Sequence, residues 1–187
     1  MIDRMLSAVT SDLNGFLQRR TGARKSLVEL SSLANPDGSV AFQTKNQVLC
    51  TLVNIEQERA SYNMPAANRM EKSPPVQLSL DVLFAACYEP ARYMEALKML
   101  SYIIGFFQAK HVFTSDNTSQ LPVLIDKLTV EPVNLELKDL GNFWSAVGIK
   151  HQPTVIYKMR ILSVTEDIIL EDVPSVQGIE KSHNPIP

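Results

Sequence analysis

Chemistry needs groups that ionise, coordinate or attack, so histidines, cysteines and paired carboxylates come first. The three histidines, His111, His151 and His183, lie far apart, with no pair one helical turn apart. A zinc hydrolase would need such a pair flanking a glutamate; a structural zinc site or calcium loop would need clustered cysteines or carboxylates. None of these is present, so no metal and no cofactor is expected. The two cysteines, Cys50 and Cys87, sit inside apolar runs and read as small buried hydrophobes in a reducing cytoplasm. The seven glycines are scattered, without the spacing of a phosphate-binding loop, and no G-x-S-x-G elbow presents a serine nucleophile. Paired carboxylates occur in Asn54-Ile55-Glu56-Gln57-Glu58-Arg59. They would in principle suit general acid–base work, but Glu56, Glu58 and Arg59 read as a solvated strand end or a charged subunit contact. Asp81 lies on the polar side of a strand, where a cross-strand hydrogen bond explains it as well as catalysis does.

Two other signals are weaker still. Asn117-Thr118-Ser119 matches a glycosylation pattern and reads as a polar loop. Arg19, Arg20, Arg24 and Lys25 gather where the first helix ends, a position the helix dipole favours for cations. No aromatic residues accompany them for base stacking, so the helix dipole accounts for them and no nucleic-acid role is expected. With 18 basic and 20 acidic side chains the net charge is −2, which gives no global field toward nucleic acid or an anionic membrane.

The elements that must carry these residues can be read from the patterning. At 187 residues and 45% apolar composition the chain suits one domain with a sizeable core and no need of disulfides. Residues 2–20 form an amphipathic helix, with Ile2, Met5, Leu6, Val9, Leu13, Phe16 and Leu17 on one stripe. This start lacks the features of a secretory signal. Residues 47–55 read as a strand, 63–75 as a loop. From Val76 the alternation predicts a strand with Val76, Leu78, Leu80, Val82 and Phe84 in the core and Gln77, Ser79 and Asp81 outside. A helix follows Pro90, with Tyr93, Leu97, Leu100, Ile104 and Phe107 on its stripe and Met99, Ile103 and Phe106 widening it. A helix so apolar is expected to be covered on more than one side. Its most apolar part, Met99 to Phe107, is too short for a membrane span. Leu128, Val130, Leu135 and Leu137 alternate as strand, with Pro132 marking an edge or a bulge. A short helix over Asp139–Val147 ends at Gly148, and Thr154–Val164 is a long strand. Trp144, the only tryptophan, is a core anchor or an interface hot spot.

Leu140-Gly-Asn-Phe-Trp-Ser-Ala-Val-Gly-Ile-Lys-His-Gln-Pro-Thr-Val-Ile-Tyr-Lys-Met-Arg-Ile-Leu resembles the C-terminal signature of the tail-terminator (cap) proteins of phage-tail-like contractile injection systems. Phe143-Trp144-Ser145, Val147-Gly148, Pro153-Thr154 and Tyr157-Lys158-Met159-Arg160 carry the likeness, with support from Leu52–Glu56, Val76–Phe113 and the first helix. The resemblance implies an α+β fold over residues 1–165, a mixed sheet flanked by helices, with a flexible tail over 166–187. Trp144, Phe143 and Tyr157 would then be structural anchors, and Glu56, Glu58, Arg59, Arg19 and Arg20 candidate interface residues. The implied role is structural and not enzymatic. A homo-oligomeric ring, hexameric in the family's habit, would close the inner tube and sheath after assembly in the bacterial cytoplasm. Its partners would be itself, the tube protein and the sheath protein, with no nucleic acid and no membrane span. The alternatives are a non-enzymatic assembly adaptor or chaperone-like module and, from a different class, a small hydrolase.

Overall fold

The computed structural model describes residues 1–41, 46–58 and 77–164. The loop at 63–75, Val76, Arg59 and the tail from 166 lie outside the described residues. Three helices, α1 (Ile2–Thr21), α2 (Tyr93–Ala109) and α3 (Leu137–Val147), surround six strands. These are β1 (Val28–Leu30), β2 (Gln47–Gln57), β3 (Leu78–Cys87), β4 (Val112–Phe113), β5 (Ile125–Val133) and β6 (Thr154–Val164). They form one sheet in the order β1-β2-β3-β6-β5-β4. Only β1 and β2 run parallel; every other pair is antiparallel.

Helices α1 and α2 cover one face. Met5, Leu6, Val9, Leu13 and Leu17 of α1 and Met99, Ile103, Phe106 and Phe107 of α2 bury against Val48, Cys50, Leu80, Val82, Phe84, Tyr157 and Met159. The rings of Phe16 and Phe106 join the two helices at 5.4 Å. Gly22 stops α1 in the left-handed conformation, its N–H donating to the Gln18 carbonyl. Helix α3 covers part of the opposite face, over Leu49, Leu83, Ala85 and Ile156.

Several expectations are corrected here. Strand β3 is buried on both faces beyond Asp81, because it is central and α3 seals Leu83, Ala85 and Cys87 from behind. The buried stripe of α2 is Ala96, Met99, Leu100, Ile103, Phe106 and Phe107. Tyr93, Met94, Leu97 and Ile104 point outward, Met94 at 76% exposure, so the described residues cover the helix on one side only. A nearly all-round apolar helix offers several stripes, and periodicity cannot select the one the sheet receives. Leu135 and Leu137 lie beyond β5, and Leu137 begins α3 two residues before the expected start. Pro132 stands at an edge. The Val130 N–H donates outward to the His111 carbonyl, so strand alternation places the missing N–H of Pro132 on that same outer side.

Candidate interface surfaces

The residues singled out as anchors occupy both faces of the sheet. Trp144 is 4% exposed, packed with Leu33, Leu49, Leu83 and Ile156. Its ring lies edge-on to Phe143 at 5.4 Å and to His151 at 5.5 Å. Among the described residues its Nε1 has no hydrogen-bond partner. Tyr157 belongs to the other face, 4.5 Å from the Phe107 ring and 6.0 Å from Phe84, where burial pushes its phenol up to about 12. Trp144 and Tyr157 therefore lie in different layers, Trp144 with α3 on one face of the sheet and Tyr157 against α2 on the other.

Beyond α3 the same sheet face is open and charged. The sheet order places β6 beside β3 and β3 beside β2, with Asp81 opposite both Lys158 and Asn54, and Ser79 opposite both Arg160 and Glu56. Serine is short enough for the β6 cations to reach across β3. The Lys158 ammonium lies 2.9 Å from Glu56 and 3.6 Å from Asp81. Arg160 donates from Nε to Glu58 at 2.7 Å and from its Nη1 to Glu131. The hydrogen bond to Glu56 raises the pKa of Lys158, while Glu131 and then Glu58 raise that of Arg160. Four carboxylates thus share two cations, and the patch stays acidic. Sequence reasoning found Glu56 and Glu58 but missed their partners. The available signal was Lys158-Met159-Arg160, two bases on one side of a strand, but nothing local says which acids they meet.

Arg19 and Arg20 do not join this patch. They are exposed at the end of α1 that leads to β1, which pairs with the start of β2, whereas Glu56 and Glu58 lie at its finish. No acidic side chain pairs with them among the described residues; the Arg20 guanidinium rests 5.7 Å from the Phe16 ring. Two polar ties also went unread. Asn14 donates to the Val28 carbonyl at 2.8 Å and accepts the N–H groups of Leu27 and Val28, binding α1 to β1. Lys110 reaches Asp12 at 2.6 Å and the Asn117 carbonyl at 2.7 Å, binding the end of α2 to α1.

A groove of about 780 Å³ runs between α2 and the β5–β6 end of the sheet, lined chiefly by Ile104, Phe107, Val130, Pro132, Val155 and Tyr157. His111 and Glu131 also line it, but no hydrogen bond joins them. Among the described residues no cluster of three or more His, Cys, Asp or Glu could hold a metal ion, and no helix is long and apolar enough to cross a membrane. Cys50 and Cys87 are free thiols in the two separate cores, each pushed up to about 12 by burial, which leaves them unreactive.

A family model described as the Pvc16 N-terminal domain matches residues 8–178. The chain belongs to that family. Among solved structures, the PVC sheath/tube terminator of an extracellular contractile injection system, in its extended state, resembles this family member with a TM-score of 0.58 and 14% identity. The likeness covers 100% of this chain and 64% of that one, so the chain spans less than two thirds of the terminator's length. At this identity the two share a fold, the α+β tail-terminator fold expected from the sequence. The anti-feeding prophage cap, a tube terminating cap, aligns with 13% identity over 94% of this chain and 61% of its own. Its TM-score of 0.45 is too low to carry an argument. No curated protein sequence matches the chain.

Proposed function

We propose that this protein is a structural tail terminator of a contractile injection system. It closes the distal end of the inner tube and sheath, stops polymerisation and holds the sheath extended. Membership of the Pvc16 N-terminal domain family over residues 8–178 carries this reading, and the fold shared with the PVC sheath/tube terminator supports it. The role is stoichiometric and not catalytic: the charged groups pair across strands on the sheet face instead of converging in the groove. The assembly-adaptor alternative has no observation in its favour.

The mechanism follows from symmetry. Stacked tube rings repeat one interface, so growth ends when a ring complementary to the tube on one face alone occupies the last position. The protein acts as such a ring, a hexamer, assembled in the bacterial cytoplasm. Tyr93, Met94, Leu97 and Ile104, the apolar side of α2 left uncovered by the described residues, supply a subunit contact. Glu56, Glu58, Arg19 and Arg20, with Arg59, contribute the charged contacts to tube, sheath or neighbour.

Deletion of this protein tests the reading. Electron micrographs should show over-long or heterogeneous tubes whose sheaths are lost or contracted. Particles of normal length with stable extended sheaths would refute it.

A further inference from the structure

The two edges of the sheet are treated differently. On one side β4 pairs with Leu128 and Thr129 of β5, and Pro132 withholds the next outward N–H. On the other side β1 pairs only with Val48–Cys50 of β2. The Ser31 N–H donates to the Cys50 carbonyl and the Thr51 hydroxyl to the Ser31 carbonyl, after which the chain leaves this edge to bury Leu33 under α3. Strand β2 continues to Gln57 with β3 along its inner side alone. The Glu58 N–H donates inward to the Gln77 carbonyl at 2.9 Å. Alternation then turns the N–H and C=O of Ile55 and Gln57 outward, and no described residue pairs with them.

The side chains along this open edge alternate in character. Asn54, Glu56 and Glu58 lie on the acidic sheet face, and Ile55, 49% exposed, lies on the other. Between Leu52 and Asn54 a register shift sets this phase: regular alternation through Val53 would point Glu56 toward the apolar core side and Ile55 toward the charged one. Among the described residues the carboxylates Glu56, Glu58, Asp81 and Glu131 outnumber their partners Lys158 and Arg160, so the charge beside this edge is net negative among them.

We infer that the outer edge of β2, residues 52–57, is a β-augmentation site for an extended segment of a different protein bearing lysine or arginine at alternate positions, with apolar residues between them. The segment's backbone pairs with Ile55 and Gln57, its cations meet Glu56 and Glu58, and its apolar side chains lie beside Ile55. A second copy of this chain is a poor occupant. Pairing two β2 edges opposes carboxylate to carboxylate, the β5 edge is blocked, and Arg19 and Arg20 are helical and cannot supply a strand. Residues 166–172 contain Glu166, Asp167, Glu171 and Asp172, which repel the same carboxylates. Binding here can be read on the isolated chain, whether or not the protein caps a tube.

The probe is a short acetylated peptide of alternating lysine and valine, with a glutamate–valine peptide as control. Hydrogen exchange of the free chain should show Ile55 and Gln57 amides unprotected beside protected Glu56 and Glu58. Saturating lysine–valine peptide should slow Ile55 and Gln57 by about tenfold or more, less at high salt, and the control should leave them unchanged. Ile55→Pro removes an outward N–H without breaking a β3 bond, and should abolish the slowing at unaltered melting temperature. Should that variant fail to fold, Glu56→Gln with Glu58→Gln provides the same test, expected to weaken binding about tenfold and flatten its salt dependence. Equal protection by the control peptide, protection confined to other surfaces, edge-to-edge dimers of the chain, or undiminished binding by these variants would overturn the inference.

Discussion

Replacing Trp144 separates packing from hydrogen bonding in one position. It is the only fully buried residue of α3, so the helix is held on the sheet chiefly through this indole. Truncating a buried tryptophan to alanine costs about 3–5 kcal/mol. The buried Nε1 has no hydrogen-bond partner among the described residues, a state that itself costs about 1–3 kcal/mol and disappears with the side chain. The net loss for Trp144→Ala is therefore about 2 kcal/mol, a fall in melting temperature of about 4–8 °C for a chain of this size. Trp144→Phe keeps most of the buried ring and removes the orphan donor, so packing loss and polar relief nearly cancel. It should lie within about 1 kcal/mol of the parent. Urea unfolding followed by far-ultraviolet circular dichroism measures both without relying on the lost fluorophore. An alanine variant within about 1 kcal/mol of the parent would refute the anchoring role. A phenylalanine variant as damaging as alanine would refute the reasoning about Nε1.

Asn14→Ala leaves the Leu27 and Val28 N–H groups and the Val28 carbonyl without their side-chain partner, and should cost about 2–3 kcal/mol in the same assay. Asn14→Asp, which keeps the acceptor, should fall between. Cys50 and Cys87 should resist alkylation in the native protein and react promptly in urea. Their thiols rise from 9.0 to about 12 on folding, so the stability they share is full below pH 9 and is lost as pH climbs through about 12; alkaline urea titrations should show that decline, reduced in Cys50→Ala. Gly148 ends α3 at φ 75°, so Gly148→Ala should lower stability by about 1 kcal/mol.

Features decided over a few neighbouring residues were legible in the sequence. The first helix was readable because its apolar stripe and the Thr21-Gly22 stop agree, and the Gly148 end of α3 because only glycine takes that conformation cheaply. Strand β6 was read over Thr154–Val164, its observed span, from its β-branched and aromatic run. The Trp144 and Tyr157 motifs carried the resemblance that the family match later established. What depends on which elements become neighbours was not legible. Lys158 and Glu56 are 102 residues apart and meet only because β3 and β6 pair and Ser79 leaves room across them. The outward side of α2 and the second buried face of β3 were misread for one reason: an apolar pattern records that a surface can be covered, not what covers it. The open edge of β2 is of the same kind. Its residues predict a strand, but only the strand order, with three-residue β1 beside an eleven-residue β2, leaves the outer side of its second half without a partner among the described residues. Backbone propensity and periodicity are local properties, whereas burial, ion pairing and free edges belong to the arrangement of the whole sheet.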